Sequence, residues 1–208
     1  MVIIKIDILS LFPDFFNGIL NESIIKRAID KKLVEINIIN FRDYSPLPNK
    51  QVDDTPYGGG AGMLIRCEPI FLALDKIKTK DSHVILLSPE GVTYKQSVAS
   101  RLKEYKHLII IGGHYEGFDE RIKTLVDEII SIGDYILTGG EIAAMAIVDS
   151  VVRLIPGVIN KESLVSESFN NNLLDYPQYT KPAEYRGLKV PDVLLSGNHQ
   201  KIREYRLQ

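Results

Sequence analysis

The first forty residues alternate between short apolar runs and amphipathic stretches. Residues 2–12, VIIKIDILSLF, form an apolar run that predicts a strand, and Pro13 ends it. Residues 14–33 carry apolar side chains at helical spacing and begin with Asp14, which predicts a helix with an aspartate cap. Residues 34–41, VEINIINF, alternate in character and predict a second strand.

The same alternation of elements continues to residue 155. The pattern predicts strands at 83–88, 107–113 and 128–137, and helices at 68–80, 94–105, 119–127 and 139–155. The central strands are apolar throughout, as strands are when helices cover both faces of their sheet. We therefore expect an α/β fold with a parallel sheet flanked by helices, followed by a short helical C-terminal segment.

Two stretches lack any periodicity. Residues 42–63 are rich in Pro, Gly, Asp and Asn, and a loop of this length inside a domain is usually functional or disordered. Residues 160–172, NKESLVSESFNNN, are typical of a linker. The expected organisation is a ligand-binding α/β domain at 1–159, the linker at 160–172, and a small, mildly basic C-terminal domain at 173–208.

Composition narrows the class of protein. Of the 208 residues, 45% are hydrophobic and 25% charged, which is typical of a folded globular protein. Cys67 is the only cysteine, which excludes an intrachain disulfide and favours a cytoplasmic location with a buried structural thiol. We find no leader and no stretch long enough to span a bilayer, so we expect no membrane association. Because the net charge is -2, any contact with RNA must come from local clusters.

Three of the apolar segments end in glycine-containing turns, at residues 86–91, 109–117 and 131–141. Ligands of open α/β sheets bind outside the carboxyl ends of the strands, so these turns are expected to converge on one pocket. A single glycine turn would favour an ordinary turn, whereas three in succession favour a site. The chain has neither the G-x-G-x-x-G pattern of dinucleotide sites nor the phosphate-binding loop G-x-x-x-x-G-K-[ST].

Six motifs together carry a resemblance that runs from about Asp7 to Arg206. They are DDTPYGGGAGM at 53–63, GGHYEGFDERI at 112–122, SIGDYILTGGE at 131–141, RLIPGV at 153–158, LLDYPQYTKP at 173–182 and LLSGNH at 194–199. In this order they resemble the bacterial tRNA (guanine-N1-)-methyltransferase family. The resemblance implies a trefoil-knotted SPOUT fold, S-adenosylmethionine as cofactor, and a homodimer with its active site between the subunits.

The resemblance also implies a set of cofactor-binding residues at the three turns. Glu116 or Asp134 would attract the sulfonium cation or bind ribose hydroxyls, although a carboxylate in a turn or at a helix start is also stabilising by itself. The full set comprises Leu86, Leu87, Ser88, Pro89, Gly112, Gly113, Tyr115, Glu116, Ile132, Gly133, Asp134, Tyr135, Ile136, Leu137, Gly139 and Gly140.

Two catalytic residues follow from the resemblance. Arg153 would stabilise negative charge on the guanine O6, and its structural alternative is to complement a helix C-terminus and to pair with Asp149. Glu167, in SESF, stands where family members usually have the aspartate of Asp-Ser-Phe, and it would be the general base. Asp119 is interpreted as a helix cap and His114 as facing solvent or RNA, so neither is assigned to catalysis.

The resemblance assigns substrate binding to Tyr57, Gly58, Gly59, Gly60 and His199, with the C-terminal domain gripping the anticodon arm of tRNA. Family members continue beyond the equivalent of Gln208, so this domain is expected to be truncated. Mg²⁺ is a possible further cofactor, but no spacing assigns its ligands.

The expected reaction is methylation of N1 of the guanosine immediately 3′ of the anticodon, at position 37. The alternatives are a knotted methyltransferase acting on another RNA nucleotide and a catalytically impaired RNA-binding homologue.

Overall fold

The computed structural model describes residues 4–160 and 176–207. The chain divides into two compact units, residues 1–161 and 162–208. The larger unit contains a five-stranded parallel sheet with helices on both faces, and its strands lie side by side in the order Val34–Asn40, Ile4–Ser10, His107–Ile111, Ser82–Thr93 and Glu128–Ser131. The expected α/β fold is thus confirmed.

The strands are β1 Ile4–Ser10, β2 Val34–Asn40, β3 Asp53–Asp54, β4 Leu64–Ile65, β5 Ser82–Thr93, β6 His107–Ile111, β7 Glu128–Ser131, β8 Glu184–Tyr185 and β9 Leu188–Lys189. The α-helices are α1 Asn17–Asn21, α2 Ser23–Asp30, α3 Cys67–Ile77, α4 Gln96–Leu102, α5 Glu141–Val152, α6 Asp192–Leu195 and α7 His199–Arg206. Short 3₁₀ helices occupy Pro13–Phe16, Phe41–Tyr44, Pro48–Lys50 and Glu120–Leu125.

The two faces of the sheet bury two separate cores. Successive residues of a strand point to opposite faces, so Leu108 and Ile110 of β6 pack with α2, α4 and α5, whereas Ile109 and Ile111 pack with α3 and the 3₁₀ helix Glu120–Leu125. All five residues of β6 are buried. This two-sided burial explains why the central strands are apolar throughout.

A line of hydrogen-bonded polar side chains, with Asp7 and His107 buried at its centre, crosses four strands near the amino ends of β5 and β6. Asp7, only 1% exposed, accepts hydrogen bonds from Asn37 Nδ2 at 2.8 Å and Lys5 Nζ at 2.9 Å. Its carboxylate also bonds His107 Nε2 at 2.8 Å, and His107 Nδ1 bonds Ser82 Oγ at 2.7 Å. Burial by itself raises the pKa of Asp7, but the hydrogen bonds from His107, Asn37 and Lys5 outweigh it and hold the pKa below its ordinary value.

The first predicted helix differs from the observed one. A 3₁₀ helix begins at Pro13, because proline fits the first turn of a helix, and α1 and α2 follow as separate helices. Ser23, with a left-handed φ of 50°, stands at the break between them. The prediction that Asp14 caps this helix is wrong, since Asp14 lies inside the 3₁₀ turn and accepts a bond from Asn17 Nδ2 instead.

Four other segments differ from the sequence prediction. The helix predicted at 119–127 is a 3₁₀ helix that covers only Glu120–Leu125, and the strand predicted at 128–137 ends at Ser131. The aperiodic stretch 42–63 contains two 3₁₀ turns and leads into the small antiparallel pair of β3 and β4. Strand β5 runs on to Thr93, with a register shift against β7 between Leu87 and Val92.

The smaller unit is described from residue 176 to residue 207. It contains the hairpin of β8 and β9 and the helices α6 and α7. Arginine side chains lie over tyrosine rings at two places, Arg186 over Tyr185 at 5.2 Å and Arg206 over Tyr176 at 4.6 Å. In the part of the chain that the structure describes, no helix combines the length and the apolar character needed to cross a membrane.

The polar line across the sheet generates a stability prediction. We expect Asp7→Asn to lower the free energy of unfolding at pH 7 by about 2 kcal/mol, because charged hydrogen bonds to three side chains are weakened. Since the pKa of Asp7 is lowered by folding, the charged carboxylate stabilises the protein above pH ~3.8, and this contribution is lost as the pH falls further. The difference between variant and wild type should therefore shrink toward pH 3.

Urea denaturation at pH 7 and pH 3 measures this difference. Asp30→Asn is the control, because Asp30 forms only an exposed ion pair with Lys26 and its loss should cost less than about 0.5 kcal/mol. Equal stability of Asp7→Asn and wild type at pH 7 would contradict the assigned role of the carboxylate.

Candidate functional site

The three glycine-containing turns meet at the carboxyl ends of β5, β6 and β7, as expected. Together they surround a cavity of about 520 Å³. The lining residues are Leu86, Leu87, Ser88, Pro89, Glu90, Gly113, His114, Tyr115, Glu116, Gly117, Phe118, Glu120, Lys123, Ile130, Ser131, Ile132, Gly133, Tyr135, Ile136, Leu137, Gly139, Gly140 and Ala143.

Most residues predicted to bind a cofactor line this cavity, and two do not. Gly112 lies behind the wall against Gly140, and Asp134 is exposed and absent from the lining. Sequence reasoning missed nine lining residues, which are Glu90, His114, Gly117, Phe118, Glu120, Lys123, Ile130, Ser131 and Ala143. The helix predicted at 119–127 directs Ile122 to the core, so it indicates that Lys123 points away from the core. It does not indicate that Lys123 reaches the cavity.

Two chain segments touch backbone to backbone at one edge of the cavity. Gly140 donates its N–H to Gly113 O at 2.8 Å, and a Cβ on Gly140 would stand 2.6 Å from Gly112 Cα. The φ of Gly140 is -79°, which suits any residue, so only the close approach requires glycine there. The start of α5 is thereby held against the end of β6.

The turn after β6 is joined to the loop that carries the glycine triplet. Glu116 N donates to Met63 O at 3.0 Å, Ile65 N donates to Gly117 O at 2.8 Å, and Asp119 N donates to Ile65 O at 2.8 Å. The Glu116 side chain fills the space beside Gly62 where a Cβ would otherwise lie. Tyr115, at the centre of this turn, has a left-handed φ of 59°. Loop and turn therefore form one connected wall.

Asp119 is a cap, as the sequence analysis concluded. Its carboxylate accepts the backbone N–H of Arg121 at 2.9 Å and binds the Arg121 guanidinium through Nε at 2.8 Å and Nη2 at 2.7 Å. The hydrogen bonds from Arg121 hold the pKa of Asp119 below its ordinary value.

His114 does not project into solvent but lines the cavity wall, whereas the other expectation, that it faces RNA, stays a prediction. Its Nε2 lies 2.7 Å from Oε2 of Glu141, whose other oxygen accepts the Ser10 hydroxyl at 2.5 Å. Glu141 is the first residue of α5 and is buried, so it needs polar partners, and His114 and Ser10 supply them. The ring of Phe12 lies 4.7 Å from that of His114. His114 thus separates the main cavity from a smaller one of about 200 Å³ lined also by Phe12, Phe15, Thr138, Gly139, Glu141 and Ile142.

A charged bridge stands at the cavity mouth. Lys123 Nζ lies 2.7 Å from Glu90 Oε1 and 2.7 Å from Glu120 Oε2. The hydrogen bonds to Glu120 and Glu90 raise the pKa of Lys123, so it carries its charge at neutral pH. The bridge joins the second half of β5 to the 3₁₀ helix Glu120–Leu125.

None of the other predicted site residues that the structure describes is part of the cavity lining. Arg153 caps the C-terminus of α5, its N–H donating to Asp149 O at 3.2 Å. Tyr57 is fully exposed, and Gly58, Gly59 and Gly60 all have positive φ. His199 is the exposed first residue of α7 in the smaller unit. Glu167 lies outside the described residues.

The described residues supply neither a nucleophilic thiol nor a metal centre. Cys67 is buried at the start of α3, and burial raises the pKa of its thiol, so it lacks the thiolate character of a nucleophile. Within residues 4–160 and 176–207, no three His, Cys, Asp or Glu side chains come close enough together to hold a metal ion.

Comparison with known proteins adds a second line of observation. A family model described as tRNA (Guanine-1)-methyltransferase TrmD matches residues 4–208. A curated relative from Malacoplasma penetrans, called tRNA (guanine-N(1)-)-methyltransferase, is 62% identical over 97% of this chain and 89% of its own length. Relatives of the same name from Mycoplasmopsis synoviae and Acholeplasma laidlawii are 53% and 56% identical, each over 98% of this chain and over 90% and 84% of their own lengths.

The backbone contact at Gly140 generates a prediction about the cavity. We expect Gly140→Ala to lower the free energy of unfolding by about 3 kcal/mol, because the added methyl group overlaps backbone atoms that cannot move independently. Gly18→Ala is the matched control, since nothing lies within 4 Å of its Cβ position and α1 should gain about 0.5–1 kcal/mol. Thermal denaturation of both variants tests the contrast, and a Gly140→Ala protein as stable as wild type would refute the close approach.

Proposed function

The chain belongs to the tRNA (guanine-1)-methyltransferase family and is a tRNA (guanine-N(1)-)-methyltransferase, and we propose that its target is the guanosine immediately 3′ of the anticodon, at position 37. The observation that carries the proposal is the cavity at the ends of β5, β6 and β7, to which two of the six family motifs contribute. The target base would leave its stack to reach this cavity.

The cavity fits S-adenosylmethionine in size and in charge. Its volume of about 520 Å³ lies within the usual range of small-molecule sites. Apolar walls from Leu86, Ile130 and Leu137 suit an adenine ring. Glu90, Glu116 and Glu120 face the cavity with Lys123 as the single opposing lysine, so the described lining favours a ligand with net positive charge, such as a sulfonium.

In the proposed mechanism, two side chains of this chain act on the guanine. Glu167 accepts the N1 proton as general base, and the Arg153 guanidinium stabilises the negative charge that develops on O6 as that proton leaves. When bound, S-adenosylmethionine supplies the methyl group that becomes attached to N1. The cavity walls hold the reactants together and exclude water, which supplies much of the rate enhancement of such a transfer.

A trefoil knot is part of the proposal. Its support is the pair of close backbone contacts in which side chains are missing, Gly140 against Gly112 and Gly113, and Gly91 against Ile129 and Ile130. Such close backbone contacts are compatible with a chain that passes through its own loop. The sheet order β2-β1-β6-β5-β7 also brings the last strand beside β5 rather than at the side of its sequence neighbour β6.

A homodimer is also part of the proposal, with the active site completed by the partner subunit. Phe12, Phe15 and Ile142 lie together around the smaller cavity, and each is about half exposed. Ile136, at the main cavity, is 81% exposed. Contiguous exposed apolar side chains of this kind are typical of an interface. A site shared between subunits would also account for the position of Arg153 outside the cavity lining of one chain.

Recognition of tRNA is proposed for two exposed regions. Tyr57 and the glycine triplet stand free on the loop beside the main cavity, where an aromatic ring can stack on an unpaired base. The smaller unit offers Lys and Arg side chains on α7 and on the β8–β9 hairpin, with His199 at the start of α7.

The described residues form no cluster for Mg²⁺, so no step is derived through a metal ion. A cytoplasmic location stays a prediction from the single cysteine and the tRNA substrate.

The first test of the proposed function is methyl transfer to two tRNA transcripts that differ only by guanosine or adenosine at position 37. We expect label from S-adenosylmethionine on the guanosine transcript alone, located on N1 by nucleoside analysis. Label on a ribose or on another base would favour the alternative of a different target nucleotide. Cofactor binding without any transfer would favour an impaired RNA-binding homologue.

The second test concerns Glu167, Arg153 and the dimer together. We expect Glu167→Gln and Arg153→Ala each to lower the rate of transfer at least 100-fold while cofactor affinity stays unchanged. Glu162→Gln, another glutamate of the same segment, should keep full activity. If one subunit supplies Arg153 and the other Glu167, an equal mixture of the two inactive proteins should regain about a quarter of wild-type activity, since half of the dimers hold one complete site.

Loss of activity accompanied by a lower melting temperature for Arg153→Ala would assign that residue to the end of α5 rather than to catalysis. A mixture that stays inactive after subunit exchange would place both residues in the same subunit.

A further inference from the structure

The charged bridge at the mouth of the cavity has no part in the mechanism above. Its three residues come from two elements, Glu90 from the second half of β5, and Glu120 and Lys123 from the 3₁₀ helix. All three line the cavity. Exposed ion pairs contribute little to stability, so a purely structural role gives weak reason for three charges to meet at this point.

Along one side of the cavity, exposure and polarity rise together from Leu86 and Ile130 to the charged bridge, whereas the apolar Ile136 is exposed on another side. Leu86 and Ile130 on the floor are 1% and 2% exposed. At the mouth the side chains of Lys123, Glu90 and Glu120 are 26%, 51% and 79% exposed. A ligand with an apolar ring at one end and a charged group at the other would match this gradient with its ring inward.

The bridge offers charges of both signs within one hydrogen-bond length. Lys123 Nζ can bind a carboxylate, and the Glu90 carboxylate can bind an ammonium group. Glu120 is the most exposed of the three and can turn outward to solvent, which releases the lysine N–H groups that it now occupies. Such a pair matches a zwitterion in which carboxylate and ammonium sit on the same carbon, that is, an α-amino acid.

We infer that Lys123 and Glu90 bind the amino acid end of the cofactor, Lys123 holding the α-carboxylate and Glu90 the α-ammonium group. The inference rests on the proposed function, because it takes S-adenosylmethionine as the occupant of the cavity. It makes the bridge a specificity element that distinguishes the complete cofactor from other adenosine thioethers.

Two ligands that differ only at that end allow a direct test. S-Adenosylhomocysteine carries the amino acid, whereas 5′-methylthioadenosine has the same adenosine and a thioether but no amino acid. Calorimetry gives the dissociation constant of each for wild type, Lys123→Gln, Glu90→Gln and the control Arg121→Gln. Arg121 lies on the same 3₁₀ helix but pairs with Asp119 and is absent from the cavity lining.

We expect Lys123→Gln and Glu90→Gln each to weaken S-adenosylhomocysteine about tenfold, the usual effect of losing a charged hydrogen bond, and to leave 5′-methylthioadenosine within about twofold of wild type. Arg121→Gln should change neither. The melting temperatures of the unliganded variants should match that of wild type within the error of the measurement.

Equal weakening of both ligands by Lys123→Gln would overturn the inference, because the bridge would then support the cavity wall rather than the amino acid. No change for either ligand would also overturn it. A wild-type protein that binds neither ligand would overturn the proposed cofactor itself, whereas binding of both with no selective loss would leave that cofactor in place and reject only this assignment.

Discussion

The site depends on the direct contact between the backbone at Gly112–Gly113 and the backbone at Gly140. This contact joins the end of β6 to the beginning of α5 with no side chain between them. The residues between these two segments, 114–139, supply most of the cavity lining. The contact at Gly140 therefore fixes both ends of the chain segment that surrounds much of the cavity.

The same contact fixes the chemistry of the neighbouring residue. Glu141 follows Gly140 directly and enters the core with it, where an unpaired carboxylate would be costly. Ser10 from β1 and His114 from the turn after β6 satisfy its two oxygens. The tight crossing thus sets the orientation of His114, which forms the wall between the two cavities. On the other side of the turn, the Glu116 side chain fills the space beside Gly62, and Glu116 N donates to Met63 O. These contacts attach the loop that carries the exposed Tyr57 to the turn after β6.

The sequence pattern predicts what depends on local periodicity, and it misses what depends on contacts distant along the chain. Apolar runs such as 107–111 identify the parallel sheet, because burial on both faces leaves a continuous hydrophobic stretch. The glycine-containing turns indicate the main cavity, because glycine allows backbone segments to approach each other or a ligand closely. His114 was misjudged because its partner, Glu141, lies 27 residues away, and a turn histidine without that partner would face solvent. Lys123 was missed because residues 120–125 form a 3₁₀ helix. Its periodicity differs from that of an α-helix, so its side chains point in different directions from those of an α-helix.

The cavity lining and the proposed catalytic residues come from different parts of the chain. All of the cavity lining comes from residues 86–143, which belong to one well-packed unit. The proposed base, Glu167, comes from a segment that follows this unit, and Arg153 ends the helix that leads toward it. Cofactor binding would therefore need only the folded larger unit, whereas proton removal would need the segment after it in position. If Glu167 is the base, such an enzyme would hold its cofactor before the RNA arrives, and transfer would follow only once the guanosine and the base are both in place.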